Sequence, residues 1–283
     1  MSTAVLPNPK KRRLPARTAA PRRQPKFNLP GTLFAIGCVI AIEIFARLGW
    51  LTSYVPPPST MFAALAQGML NGEISSQIGI TLAVYAEGLT LATVLAVVLG
   101  ILMGTYRPFY DAFKMIVEFL RPVPSVAMIP IAILFLGLGM QMRLSIVTYA
   151  AFWPLLISTL YGVRGIDPLA LDVARNFGIT GAEALRRVTL PSALTSIMTG
   201  LRVSSSIALV VTVTTELIAG NSGIGFYISQ MEQANRLPPM YAAIVLTGIL
   251  GFCLNQLGLQ LDKRVVFWTP TEQDSVNALP IPA

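Results

Sequence analysis

Histidine is absent from the 283 residues, cysteine occurs twice, and charged residues make up only 12% of the chain. Each shortage removes a class of protein. Without histidine, and with Cys38 and Cys253 both inside apolar blocks, a zinc hydrolase or haem protein is hard to assemble. The two cysteines read as small packing residues rather than as a metal site or a disulfide. A membrane enzyme would also lack a nucleophile–base pair. No G-x-x-x-x-G-K-[ST] run cradles a nucleotide phosphate, and the glycine-rich stretch 220–225 has no lysine, so the chain has no ATP-hydrolysing machinery of its own. So little charge, against about a quarter in a soluble domain, also leaves too little polar surface for a soluble fold.

What is abundant is apolar sequence, 54% of the residues. It falls in six blocks, about 30–50, 77–104, 123–139, 143–162, 194–219 and 240–260, and a bilayer crossing needs ~20 such residues. The expectation is an all-α integral membrane protein with six transmembrane helices over 29–268. Seventeen of the twenty-one Lys and Arg fall in the tail 1–28, in 105–122, in 163–193 and in 261–283. With those four segments cytoplasmic, the positive-inside rule is met, which places both termini inside. The basic segment 1–28 reads as a disordered cytoplasmic tail that touches anionic lipid, not a nucleic-acid arm, and no cleaved signal peptide is expected. Residues 269–283 form a cytoplasmic C-terminal tail.

The third block is short and broken by Pro122, Pro124 and Pro130. Proline removes a backbone donor, and in lipid the freed carbonyls must find partners in protein or along a water-filled path. A kinked element beside a pore and an ordinary kink packed on its neighbours both fit. Ionisable residues within a span cost about 2.5–3.5 kcal/mol on insertion, so each is a candidate for the translocation path. Glu43 and Arg47, four apart, are expected to pair with each other. Glu87 lies ~15 Å into the second span without a local partner. Glu216 sits near the outer end of the fifth span and could reach the headgroups. Arg202 either snorkels to the cytoplasmic face or presents a positive charge to a passing anion. Glu87, Arg202, Glu216, Pro124 and Pro130 are therefore the candidates for the path.

The loop 163–193 carries more order than a connection needs. Asp167 and Pro168 start a helix; Ala170, Val173, Ala174 and Phe177 share one face, with Asp172, Arg175 and Asn176 off it. Gly178 ends it in the left-handed conformation. Thr180 and Glu183 form a Thr-x-x-Glu capping box for a second short helix, and Pro191 breaks that helix before the next span. Such an apolar stripe packs either on the ends of the spans or into a groove of a partner protein.

Asp172-Val173-Ala174, three residues, Gly178, nine residues, then Val188-Thr189-Leu190-Pro191 resembles the EAA motif of ABC importer permeases, with its spacing kept and Asp172, Val173 and Val188 as mild departures. Pro56-Pro57-Pro58-Ser59, Leu120-Arg121-Pro122-Val123-Pro124, Phe135 to Gly139, Thr199 to Arg202 and Gly223-Ile224-Gly225 extend the resemblance to the nitrate/sulfonate/taurine-type permeases over about residues 54–268. Val84 departs, standing where many relatives carry a charge, and Glu87 follows three residues later. The resemblance implies a type I ABC importer permease fold in a bacterial inner membrane, without a cofactor. It implies a second permease copy around one central path, two ATPase subunits, and an extracytoplasmic solute-binding protein. Asp172, Ala174, Arg175, Phe177, Gly178, Leu190 and Pro191 would then couple to the ATPase. The implied solute is a small anion such as a sulfonate, taurine or nitrate. A neutral vitamin or pyrimidine precursor is the alternative. A stand-alone channel or secondary carrier is the rival class, but carriers usually show broken helices in both halves, and here only one block is broken.

Overall fold

The computed structural model describes residues 29–50 and 54–267; the expected tails 1–28 and 269–283 lie outside them. The regular elements among the described residues are all helical: α1 Leu29–Arg47, α2 Pro58–Leu70, α3 Glu73–Thr105, α4 Arg107–Leu120, a 3-10 turn Ser125–Met128, α5 Ile129–Leu136, α6 Met140–Arg164, α7 Pro168–Asn176, α8 Gly181–Ala184, a π-helical turn Leu185–Thr189, α9 Leu190–Ala219, α10 Ile224–Gln233 and α11 Leu237–Val265. Five of these stretches are long and apolar enough to cross a membrane, the stretch from Gly181 to Ala219 counting as one, and a bent pair makes six when it is taken as one span.

Small residues dictate how the spans meet. On α3, Gly88, Ala92, Ala96, Gly100 and Gly104 recur every fourth position, so one side of the helix has almost no side chain and a neighbour's backbone can approach it. A Cβ at Gly88, Gly100 or Gly104 would press on Val147, Thr159 or Val163. The partner lies the same distance further along the chain each time, so α3 and α6 run side by side in one direction. On the other side of α6, Gly162 abuts Ser196 and Gly200 abuts Ser158, which makes α9 antiparallel to α6. Gly251 against Leu209 and Gly258 against Arg202 likewise make α11 antiparallel to α9. α6 is the central helix, with 61% of its apolar window inside the chain, against 11% for α11 and 0% for α1.

Two parallel neighbours, α3 and α6, require the chain between them to cross back. α5 alone, eight residues or ~12 Å by helical rise, cannot bridge a hydrocarbon core of ~30 Å. The third block is broken as its prolines imply: the return from α3 to α6 runs through α4 and the Ser125–Leu136 stretch, which meet at 88°. Pro124 cannot donate to the carbonyl of Leu120, and that oxygen instead accepts from Val123 N (3.1 Å) and from the Tyr149 hydroxyl of α6 (2.7 Å). The kink is therefore satisfied by packing on α6. Pro130 sits in the first turn of α5, where a missing N–H costs no hydrogen bond.

Three expectations change. Pro191 does not break the chain. The helix continues from Gly181 to Ala219, because the π turn shifts the register: Leu190 N donates to Leu185 O, and the proline falls in the first turn of α9. Thr180 precedes α8 in extended conformation but its side chain makes no capping hydrogen bond, and Glu183 turns to Arg187 at 3.2 Å instead. Cys38 and Cys253 are free and exposed on α1 and α11, so neither packs inside the chain.

Candidate functional site

The ends of α3, α6 and α9 that meet at the turn 220–223 enclose a polar cluster. Thr81 comes from the third turn of α3, Arg143 from the first turn of α6 and Glu216 from the last turn of α9. The parallel run of α3 and α6, and the opposite run of α9, bring these three positions to one level. Glu216 is fully buried and Arg143 is 3% exposed. Arg143 Nη1 stands 3.6 Å from Glu216 Oε1. The other carboxylate oxygen accepts from the Thr81 hydroxyl (2.8 Å) and from Gly225 N (3.1 Å). Arg143 also donates to the Ser222 carbonyl (3.0 Å) and hydroxyl (3.3 Å).

The backbone of the turn completes the cluster. Gly223 N donates to Gln77 Oε1 at 2.6 Å and Ile224 N to the Thr81 hydroxyl at 2.8 Å, so three successive N-terminal amides of α10 have side-chain acceptors. Gly223, at φ +99°, would put a Cβ into the Glu216 carboxylate, and a Cβ on Gly225 would meet Val213 O. The Gly-x-Gly spacing exists to let the turn close over a carboxylate. Glu216 does not reach the headgroups, contrary to that expectation, because it points inward between three helices. Thr81, Gln77, Arg143 and Ser222 were missed as a group. The available signal was two opposite charges, Arg143 and Glu216, in otherwise apolar stretches.

At the opposite end, Asp167 accepts from Leu169 N at 2.9 Å and starts α7 as expected. Gly178 has φ +79°. Ile179 N donates to Ala174 O (3.0 Å) and Gly178 N to Arg175 O (2.9 Å), the paired bonds of a Schellman cap. Ala174 is buried beneath this cap, whereas Phe177 is 81% exposed and Leu169, Ala170 and Val173 are also exposed. The stripe is thus divided: Ala174 holds the loop together and the rest faces outward. Asp172 and Arg175 pair on the surface at 3.1 Å.

The five path candidates do not converge. Glu87 is exposed beside buried Gly88 and Val84 and has no ion-pair partner among the described residues. Arg202 lies fourteen residues from Glu216 on α9, ~21 Å along the axis. It is half-buried, at the wall of a cavity of about 220 Å³ between α3, α9 and α11. Tyr85 and Ser205 share that wall and hydrogen-bond to each other at 2.6 Å. Pro124 and Pro130 flank the 3-10 turn. Glu43 pairs with Arg47 at 2.6 Å as expected, and also takes Ser59 N at 2.9 Å, which ties α1 to α2.

Residues 92–267 match the family described as binding-protein-dependent transport system inner membrane components. The chain belongs to that family. The permease is 31% identical over 204 residues to a putative ABC transporter permease protein of Methanocaldococcus jannaschii, covering 71% of this chain and 76% of the relative. It is 29% identical to a putative aliphatic sulfonates transport permease protein of Bacillus subtilis, over 85% and 86% of the two chains. With the taurine transport system permease protein of Escherichia coli the identity is 28%, over 76% and 80%. In fold it is similar to an amino acid ABC transporter, with a TM-score of 0.60 at 15% identity, over 71% of this chain and 97% of that one. The permease is a multi-pass inner-membrane protein, and sulfonate and taurine transport permeases are among its relatives. Its family serves binding-protein-dependent transport, and its relatives are permeases of ABC transporters, whose ATP hydrolysis is done by a partner.

Proposed function

We propose that the permease forms the solute path of an ABC importer as a homodimer. Two ATPase subunits dock on the loop 163–193, and an extracytoplasmic binding protein releases a small anion, a sulfonate, taurine or nitrate, at the α10 side. Both termini are then cytoplasmic. One observation carries the coupling part of this reading: Phe177 projects almost fully exposed from a helix fixed at both ends by Asp167 and Gly178. A large apolar side chain on a rigid, polar-flanked helix at the water-facing end of a bundle suits helix-in-groove docking. A rigid α7 would pass the movement of an ATPase into the stretch Gly181–Ala219, since that stretch is helical throughout. Movement of this kind is the rigid-body class of transition. Leu190 and Pro191, at the junction, would transmit it.

The anion part is supported by the sulfonate and taurine relatives and by Arg202, whose guanidinium lacks an acidic partner among the described residues. A neutral vitamin or pyrimidine precursor would have no use for that charge. The test is co-purification of the tagged permease with its ATPase. Phe177→Ser should leave the permease amount near wild type, because the side chain is exposed, and should lose the ATPase and uptake together. If Phe177→Ser retains both, α7 is not the docking element.

A further inference from the structure

At the end of the bundle opposite the Arg143–Glu216 cluster, α4 lies against α6 and leaves a crevice of about 450 Å³. α4 is amphipathic: Tyr110, Phe113, Val117 and Leu120 face the bundle, while Arg107, Asp111, Lys114 and Glu118 are exposed. The floor of the crevice is apolar, made by Met103, Val117 and Leu160, which are nearly inaccessible. Its rim carries three cations, Lys114, Arg121 and Arg164, against one carboxylate, Glu118. Lys114 and Glu118 approach only to 3.8 Å, and Arg121 has no side-chain partner among the described residues. Arg164 is preset. Its guanidinium stacks on the Tyr110 ring, 3.4 Å from the centroid, and donates through one nitrogen to Met103 O at 3.3 Å, which leaves its other donors open.

A net positive rim over an apolar floor, at the end of a spanning helix, matches a phosphate with acyl chains attached. Met115, Ile116 and Phe119, on the outer side of the same helix, are exposed apolar residues, as a helix lying at a lipid boundary requires. Basic pockets between spans on the cytoplasmic side take anionic headgroups, and Arg suits phosphate because its fork donates two bonds at once. We infer that the crevice between α4 and α6 binds the headgroup of an anionic glycerophospholipid, with the phosphate held by Arg121 and Arg164 and the acyl chains along Ile157 and Tyr161, which line the crevice and are accessible. The site is separate from the exposed face of α7, and does not depend on which solute is carried.

The experiment is native mass spectrometry of the purified permease in detergent with phosphatidylglycerol and phosphatidylcholine of the same acyl chains. Phosphatidylglycerol should be retained preferentially. Arg121→Gln should weaken that preference about fivefold, since a surface cation contributes on the order of one such factor, and Lys114→Gln by less. Arg121 and Lys114 are exposed, so neither variant threatens the fold. An unchanged preference in Arg121→Gln overturns the assignment. Displacement of the lipid by millimolar inorganic phosphate alone would make the crevice a free-anion site, and would overturn the lipid reading as well.

Discussion

The guanidinium of Arg143 and the carboxylate of Glu216 stand 3.6 Å apart, seventy-three positions apart in sequence, with both side chains buried inside the bundle. Their approach ties α6 to α9, and through Ser222 and Gly225 it also ties both helices to the turn that leads into α10. Removing one member of a buried pair leaves the other charge uncompensated, at a cost of about 3–5 kcal/mol. Glu216→Gln and Arg143→Met should each lower the thermal midpoint of the detergent-solubilised permease sharply. The double variant Arg143→Met/Glu216→Gln should lose less than the two singles together. Strict additivity in that cycle would mean that the two residues act independently.

The glycines of the same turn offer a finer test. Gly223→Ala combines a left-handed backbone, worth about 1–2 kcal/mol against a side chain, with a collision on the Glu216 carboxylate. It should destabilise the permease by at least that amount. Gly248→Ala, where an added Cβ meets nothing within 4 Å, should be neutral or slightly stabilising, as Ala is the better helix former. Equal melting temperatures for the two variants would contradict the close fit of the turn.

Topology can be read chemically. Asn221 and Thr180 are both exposed and lie at opposite ends of the bundle. Cys38 and Cys253 are exposed too, so both should first be replaced by alanine. In intact cells a membrane-impermeant maleimide should then label Asn221→Cys and not Thr180→Cys. Labelling of Thr180→Cys from outside would reverse the proposed orientation and remove the basis for ATPase docking at α7.

Arg202 tests the anion reading. Its side chain reaches a cavity and makes no ion pair among the described residues, so Arg202→Gln should keep the melting temperature within about 0.5 kcal/mol of wild type in free-energy terms. Uptake of an anionic solute should fall severalfold, and Arg202→Lys should restore part of it. Full uptake in Arg202→Gln would leave the residue a snorkelling contact only.

Local features were legible from order along the chain. The six apolar blocks, the helix start at Asp167-Pro168 and the glycine stop at 178 each depend on residues within a turn or two of one another. Composition and local hydrogen bonding decide such features wherever the chain sits, and the EAA-like spacing belongs with them because it spans one loop. What only the tertiary structure decided involves partners far apart. That Tyr149 would satisfy the carbonyl freed by Pro124, that the Thr180–Glu183 box would lose to the Glu183–Arg187 pair, and that a π turn would carry the helix past Pro191 all depend on neighbours or register that no local pattern specifies. The role of Glu216 is the plainest case. A carboxylate near the end of an apolar block can face headgroups, a path or the interior with the same sequence signature. Its direction is set by the small-residue packing of α3, α6 and α9, which brings Thr81 and Arg143 to its level, and by two glycines that let a turn close over it. In a medium without water to solvate a charge, the position of those partners decides where the charge can stay.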